Sequence, residues 1–404
     1  MKIIEGGVCA AKGYKANGIH CGIRANINKK DLALVVSDVM ANAAAVYTRN
    51  LVKGAPIYVS EDHLKDGRAQ AIIVNSGNAN TCNADGIEIA KQMTEIAASA
   101  TGLKSEDFAI ASTGVIGQPL NIEPIKNGID ELAKGLSYSG GGYAAEAIMT
   151  TDTYAKEAAV EFELGGKTCT IGGMAKGSGM IHPDMATMLV FITTDAAVSS
   201  EMLQKAISND VKKTFNMMSV DGDTSTNDTL VIMANGMAGN AEISAEGEDF
   251  DAFMQALNSV TVNLCKMVAG DGEGATKLLE CLVSGAKTEE AAKKTAKSII
   301  CSSLVKAAMF GSDANWGRVL CAIGYADADV DVDKIDVSFK SKAGTVKVCE
   351  NGTGIEFSEE TAKEVLSEKE IDIVVELNDG SGAATAWGCD LTYDYVRING
   401  DYRS

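Results

Sequence analysis

A glycine-rich stretch beginning near Met174 runs through Ala186-Thr187 into the apolar residues Leu189, Val190, Phe191 and Ile192. Gly172, Gly173, Gly177 and Gly179 admit backbone angles closed to other residues, while Pro183 fixes its own φ and restricts His182 before it. Such a loop can hold a peptide bond under strain. The start of a buried strand would aim Thr187, a β-branched residue with few χ1 choices. If the Thr187 hydroxyl attacks the carbonyl of Ala186, an amide becomes an ester. Hydrolysis of that ester makes Thr187 a new N-terminus, with a hydroxyl nucleophile and an amine base in one residue. The same pattern fits a glycine-rich turn that only leads into a core strand. On pattern alone that is the simpler reading, and the residues leave both open.

Other chemistry-bearing residues point less far. Asp221 to Asp228, DGDTSTND, is acidic enough to suggest a metal loop, but it lacks the glycine at the sixth position and the glutamate at the twelfth that an EF-hand requires. Turn and cap chemistry lining a site is expected there. His20, His63 and His182 are far apart and show no ligand spacing, so no metal is expected. The ten cysteines are scattered singly with no CxxC pair, which fits a reducing compartment, with the cytoplasm as the default.

A net charge of -19 repels phosphate backbones and anionic bilayers, so neither nucleic acid nor membrane is an expected partner. No apolar run approaches membrane-spanning length, and the N-terminal residues MKIIEGGVCAAKGYKANG are broken by charge and glycine too early for a secretory signal. At 404 residues and 46% hydrophobic content, the chain can build two or three core-bearing units.

The elements that must position Thr187 are legible as periodicity. Strands are predicted at 70–74, 108–112, 168–174, 188–193 and 230–234, with a helix at 87–100. The proposed cut therefore falls between two strands of one core. Helices are predicted at 253–264 and 288–309, the second with Thr288 as N-cap and Glu289 and Glu290 at the positive end of its dipole. Strands return at 335–339, 345–348, 371–377 and 391–398, with a short helix near 360–366. Strands and helices without a regular βαβ rhythm predict an α+β fold of layered sheets covered by helices.

Seven segments occur in an order that resembles the ornithine acetyltransferase family, also called glutamate N-acetyltransferases. They are STGVIG at 112–117, MTTDT at 149–153, KGSGMIHPDMATML at 176–189, DGDTSTND at 221–228, GDGEGATK at 270–277, FGSDANWGR at 310–318 and the terminal YVRINGDYRS. The resemblance spans essentially the whole chain. It implies an αββα-type sandwich similar to N-terminal-nucleophile hydrolases, and a precursor that cuts itself before Thr187. Residues 1–186 then form an α part and residues 187–404 a β part, assembled as α2β2. It also implies ping-pong transfer through acetyl-Thr187, from N2-acetylornithine to glutamate, in cyclic arginine biosynthesis. No cofactor is implied, and acetyl-CoA stays open as a second donor.

By the same resemblance, the Thr113 hydroxyl and the Gly114 N–H face the oxyanion, and Thr153, Lys176, Thr187, Glu273, Asn399 and Ser404 contact substrate. Lys176 and Thr153 are expected on carboxylate, Glu273 on an amine. Lys176 is also expected to depress the Thr187 amine by like-charge repulsion, since a free α-amine is otherwise mostly protonated at neutral pH. Trp316 and Arg318 are expected in packing and an internal ion pair. Thr81 and Asn83 depart from the family's small residues in the 75–83 loop, and Asp184 adds a charge beside the cut. Two readings compete with the transferase: a self-processing aminopeptidase or amidase, in which water resolves the acyl enzyme, and a noncatalytic protein whose glycine loop is only structural.

Overall fold

The computed structural model describes residues 1–182 and 188–400. Pro183, Asp184, Ala186, Thr187 and Ser404 lie outside the described residues, and so does the boundary between the two expected parts. The apolar run after the glycine loop forms the strand Leu189–Thr194. Successive strand side chains point to opposite faces. Leu189 and Phe191 accordingly enter one core cluster and Val190 and Ile192 another. Burial on both faces is why this run is continuously apolar.

Among the described residues nine strands form the sheet that contains it. The order from one edge is Lys2–Ile4, Lys156–Leu164, Lys167–Lys176, Leu189–Thr194, Thr229–Ala234, Leu32–Tyr47, Arg68–Asn78 and Phe108–Val115, with Tyr14–Ile19 pairing to Leu32–Tyr47 off this path. Leu189–Thr194 runs antiparallel to Lys167–Lys176, with Lys176 opposite Leu189. It runs parallel to Thr229–Ala234, with Thr229 opposite Leu189. Both sides of the proposed cut are thus laddered into one sheet.

A second sheet, of seven strands among the described residues, is built from 218–219 and from strands between 278 and 389. The helix Glu248–Gly270 packs on strands of both sheets, and Glu289–Cys301 covers the second. Gly141–Ala147 covers one side of the first sheet, while Gly86–Thr101 and Glu123–Lys134 share a separate cluster with Phe108 and Ile110. The result is mixed α and β in layers, as the periodicity predicts.

Three local expectations are corrected. The helix predicted at 288–309 is two helices, Glu289–Cys301 and Ser303–Phe310. Thr288 does cap the first, accepting from the Ala291 N–H at 3.1 Å. Ser302 is extended, and its hydroxyl accepts from the Val305 N–H at 3.3 Å, so a capping residue in mid-pattern restarts the helix.

The strand predicted at 391–398 is the helix Tyr393–Gly400. The Thr392 hydroxyl donates to the Gly274 carbonyl at 2.7 Å and accepts from the Asp394 N–H at 3.2 Å, starting a turn that Asp394 and Arg397 brace at 3.0 Å. Arg318 has no carboxylate partner among the described residues. Its guanidinium donates to the Leu304 carbonyl at 2.9 Å, while Trp316 packs on the main core as expected.

Candidate active site

Two strands end together at the expected oxyanion donors. Phe108–Val115 runs parallel to Arg68–Asn78, placing Thr113 opposite Ser76 and Gly114 opposite Gly77, with the register shifting at Asn78. Gly114 has φ +135, a region that favours glycine. A Cβ there would lie 2.3 Å from the Gly77 carbonyl carbon and 2.5 Å from the Asn78 nitrogen, both backbone atoms. Asn227 fastens this corner, donating to the carbonyls of Ala79 at 2.6 Å and Ser112 at 3.0 Å. Thr81, a departure from the family pattern, is absorbed here: its hydroxyl donates to Asn227 Oδ1 at 2.6 Å.

Lys176 ends the strand before the glycine loop and donates from Nζ to Thr113 Oγ1 at 3.2 Å. Burial pushes its ammonium below the ordinary lysine range, and Lys156 and Arg24 push the same way against the carboxylates of Asp152 and Asp228. Its ammonium thus lies beside the expected oxyanion donor Thr113.

Behind Lys176 is a buried network that the motif MTTDT supplies. Lys156 donates to Asp152 Oδ1 at 2.7 Å and to Asp271 Oδ2 at 2.6 Å, with the lysine side chain fully buried. Asp152 Oδ1 also accepts from the Gly177 N–H at 2.7 Å, which pins the start of the glycine loop. Asp271 accepts the Thr153 N–H at 3.0 Å and also binds the Thr153 hydroxyl. Burial pushes the Asp152 carboxyl up, but the charges of Lys176 and Lys156 and the bonds from Lys156 and Gly177 outweigh it, holding the group at about 2 against an ordinary 3.8.

A carboxyl depressed on folding stabilises the fold above its unfolded value and loses that contribution as pH falls through its folded value. Asp152 should therefore contribute about 2 kcal/mol at neutral pH. Asp152→Asn is expected to cost ~3 kcal/mol by leaving Lys156 one counter-ion short. It should also remove, in urea unfolding, that part of the stability loss expected of wild type between pH ~4 and ~2.

On the opposite wall, the Glu273 N–H donates to the Ser178 carbonyl at 2.9 Å and a Glu273 carboxylate oxygen accepts from Asn399 Nδ2 at 2.6 Å. A Cβ on Gly179 would come within 2.4 Å of that carboxylate, so glycine lets the loop close over it. A cavity of about 130 Å³ lies between the walls, lined by Thr113, Gly114, Lys176, Asp228, Glu273 and Asn399 among others.

The fold thus gathers five of the expected site residues from segments far apart in sequence. Thr153 is set back on Asp271, and its motif neighbours Thr150 and Thr151 line the cavity instead. Met188, the residue after Thr187, also lines it.

Asn227 and Asp228, in DGDTSTND, and Asp152, in MTTDT, lie in segments the sequence singled out without giving these residues individual roles. For Asp228 the added signal is an acid placed directly before the apolar strand Thr229–Ala234. Among the described residues no group of three or more His, Cys, Asp or Glu is placed to hold a metal ion, and no helix is long and apolar enough to cross a membrane. All ten cysteines are free.

The model of the ArgJ family matches residues 15–404. The chain is 53% identical over 405 residues to the arginine biosynthesis bifunctional protein ArgJ of Caldanaerobacter subterraneus, covering 100% of each chain. It is 46% identical over 403 residues to the protein of the same name from Bacillus subtilis, covering 99% of this chain and 97% of that one. The crystal structure of the Bacillus halodurans bifunctional protein argJ is similar at 46% identity and TM-score 0.51, over 54% of this chain and 100% of that chain.

Proposed function

The chain belongs to the ArgJ family, and from that membership and the geometry of the cavity we infer an ornithine acetyltransferase of arginine biosynthesis, which moves acetyl from N2-acetylornithine to glutamate. The observation that supports this reading best is the convergence of Thr113, Gly114 and Lys176 opposite Glu273 and Asn399 on a single cavity that Met188 also lines. The Thr187 hydroxyl attacks the acetyl carbonyl carbon while the Thr187 amine takes its proton. The tetrahedral oxyanion faces the Thr113 hydroxyl and the Gly114 N–H, with Lys176 adding positive charge. As the C–N bond breaks, the proton passes to the departing α-amine, leaving acetyl-Thr187 and ornithine. The amine of glutamate then attacks the same carbonyl, the ester C–O bond breaks, and Thr187 regains its hydroxyl proton.

The precursor cuts itself between Ala186 and Thr187, and residues 1–186 and 187–404 stay associated through the shared nine-stranded sheet. An α2β2 assembly in the cytoplasm completes the proposal; free cysteines fit that compartment. Acetyl-CoA is proposed as a second donor on the relatives' bifunctional name. Thr153 and Ser404 are kept as proposed substrate contacts on the family resemblance alone.

Ornithine release from N2-acetylornithine tests the reaction. One equivalent per chain is expected without glutamate and continuous release with it, and acetyl-CoA with glutamate should yield N-acetylglutamate. Continuous release in water alone would make the protein an amidase. Glu273 supplies the negative charge facing the ornithine amine, and charged hydrogen bonds are worth about 1.5 to 3 kcal/mol. Glu273→Gln should therefore raise KM for acetylornithine ~10- to 100-fold in steady-state kinetics, with kcat less affected. An unchanged KM would put the amine elsewhere.

A further inference from the structure

A fully buried lysine stands behind both walls of the cavity and takes no part in the chemistry above. Lys156 opens the strand Lys156–Leu164, opposite Ala175 and so one residue short of Lys176 on the neighbouring strand. Its ammonium has three donor hydrogens and three acceptors: Asp152 Oδ1 at 2.7 Å, Asp271 Oδ2 at 2.6 Å and the Tyr154 carbonyl at 3.4 Å. The Tyr154 ring lies over it, with its centroid at 4.9 Å. Three buried charges carry a desolvation cost that apolar packing would avoid, so stability alone gives little reason for them. What they add is fixed geometry.

Each carboxylate that Lys156 holds is fastened to a different wall. Asp152 accepts at 2.7 Å from the N–H of Gly177, the residue after Lys176. Asp271 stands two residues before Glu273 and accepts the Thr153 N–H at 3.0 Å. Between the walls, residues 177–179 are strapped at every step. The Ser178 hydroxyl donates to the Asp271 carbonyl at 2.6 Å, the Ser178 carbonyl accepts from the Glu273 N–H at 2.9 Å, and Gly179 closes on the Glu273 carboxylate. Lys176 in turn reaches Thr113 at 3.2 Å. One ammonium therefore closes a ring of contacts that runs from the expected oxyanion donor, at one end of the cavity, to the acidic side chain at the other.

We propose that Lys156 is a positioning residue that fixes the separation of Lys176 and Glu273 and thereby the length of donor the site accepts, an inference that rests on the proposed seating of the ornithine amine at Glu273. A donor spans the cavity from its acetyl carbonyl, at Thr113, to its side-chain amine. With both ends held, a side chain one methylene longer cannot satisfy both at once. The ring thus selects the ornithine side chain over that of lysine, and Lys156 does so without touching the substrate.

Ornithine release from N2-acetylornithine and lysine release from N2-acetyllysine, each with glutamate in excess, test this through the ratio of the two kcat/KM values. That ratio does not depend on the share of enzyme that is folded, so a merely structural role leaves it unmoved. One methylene is typically worth ~10- to 200-fold between two substrates, and wild type should favour acetylornithine within that range. Lys156→Met keeps the apolar stem and removes the charge, and it should lower the ratio at least ~5-fold by loosening the walls. A smaller fall, or none, assigns Lys156 to stability and overturns the proposal. Where Lys156→Met gives no folded or no active chain, Asp271→Asn decides, since it keeps the shape and weakens only the arm from Lys156 to the Glu273 wall: the same fall supports the proposal, an unmoved ratio overturns it. A wild type that uses both donors equally overturns the proposal and leaves the reaction intact. No transfer from acetylornithine, or an unchanged KM in Glu273→Gln, overturns the underlying reading together with this one.

Discussion

Replacing Thr187 by alanine is expected to leave a single chain of 404 residues that neither cuts itself nor transfers acetyl. One oxygen is proposed for both reactions, and alanine removes it together with the γ-methyl. Loss of an essential nucleophile typically lowers turnover by roughly 10⁴- to 10⁶-fold. Intact mass distinguishes the outcomes directly: wild type gives fragments 1–186 and 187–404, the variant gives neither, and only wild type should carry an acetyl mark on Thr187 after exposure to N2-acetylornithine. Thr187→Ser keeps the hydroxyl and should cut and transfer, more slowly for want of the β-methyl that restricts χ1.

The two wild-type fragments should remain one particle in native solution. The strand Lys167–Lys176 of one part pairs with Leu189–Thr194 of the other, and Thr229–Ala234 pairs with Leu32–Tyr47. A mature sample with joined halves and normal turnover would remove Thr187 from the mechanism.

What the sequence shows of this architecture depends on how local the cause is. Leu189 to Ile192 reads as a buried strand because burial on both faces leaves no polar position, and the helix Gly86–Thr101 reads as one because its stripe recurs on one face. The Leu391 to Ile398 segment alternates apolar and polar residues in a strand-like way, yet it coils into the helix Tyr393–Gly400 because Thr392 and Gly274 start a turn across more than a hundred residues. That coil brings Asn399 to Glu273, so the misread segment is one that builds the site.

Thr113, Gly114, Lys176, Glu273 and Asn399 were legible through motif resemblance, since spacing alone gives no reason for loops near 114, 176, 273 and 399 to meet. Asp228 was not. Its distinguishing properties are complete burial and an unpartnered oxygen, and both arise from what the sheet places around it. An acid in DGDTSTND reads from sequence as turn chemistry, and desolvation has no local signature.

Gly114→Ala is the second large effect expected. At Gly7 or Gly13 a new methyl would meet the far end of a side chain, Glu157 or Met237, that can swing aside. At Gly114 it would meet Gly77 and Asn78 backbone atoms at 2.3 and 2.5 Å, inside a parallel strand pair. Residue 114 also holds φ +135, where an L side chain is strained whatever the space. Both strains should relax the same way, by rotating the 113–114 peptide, and that would turn the N–H off the proposed oxyanion position.

Removing one such donor typically costs ~10²- to 10³-fold in kcat, about 3 to 4 kcal/mol, because its interaction strengthens as charge develops on the oxygen. KM for acetylornithine should move little, since Glu273 and Asn399, proposed to hold the far end of the substrate, line the opposite wall and are not displaced. If the cut uses the same donor for its own tetrahedral state, its rate should fall alongside kcat, so one substitution reads out both reactions. Wild-type kcat in Gly114→Ala would place the oxyanion away from this corner, whereas slow transfer with normal cutting would mean that two different donors serve the two carbonyls.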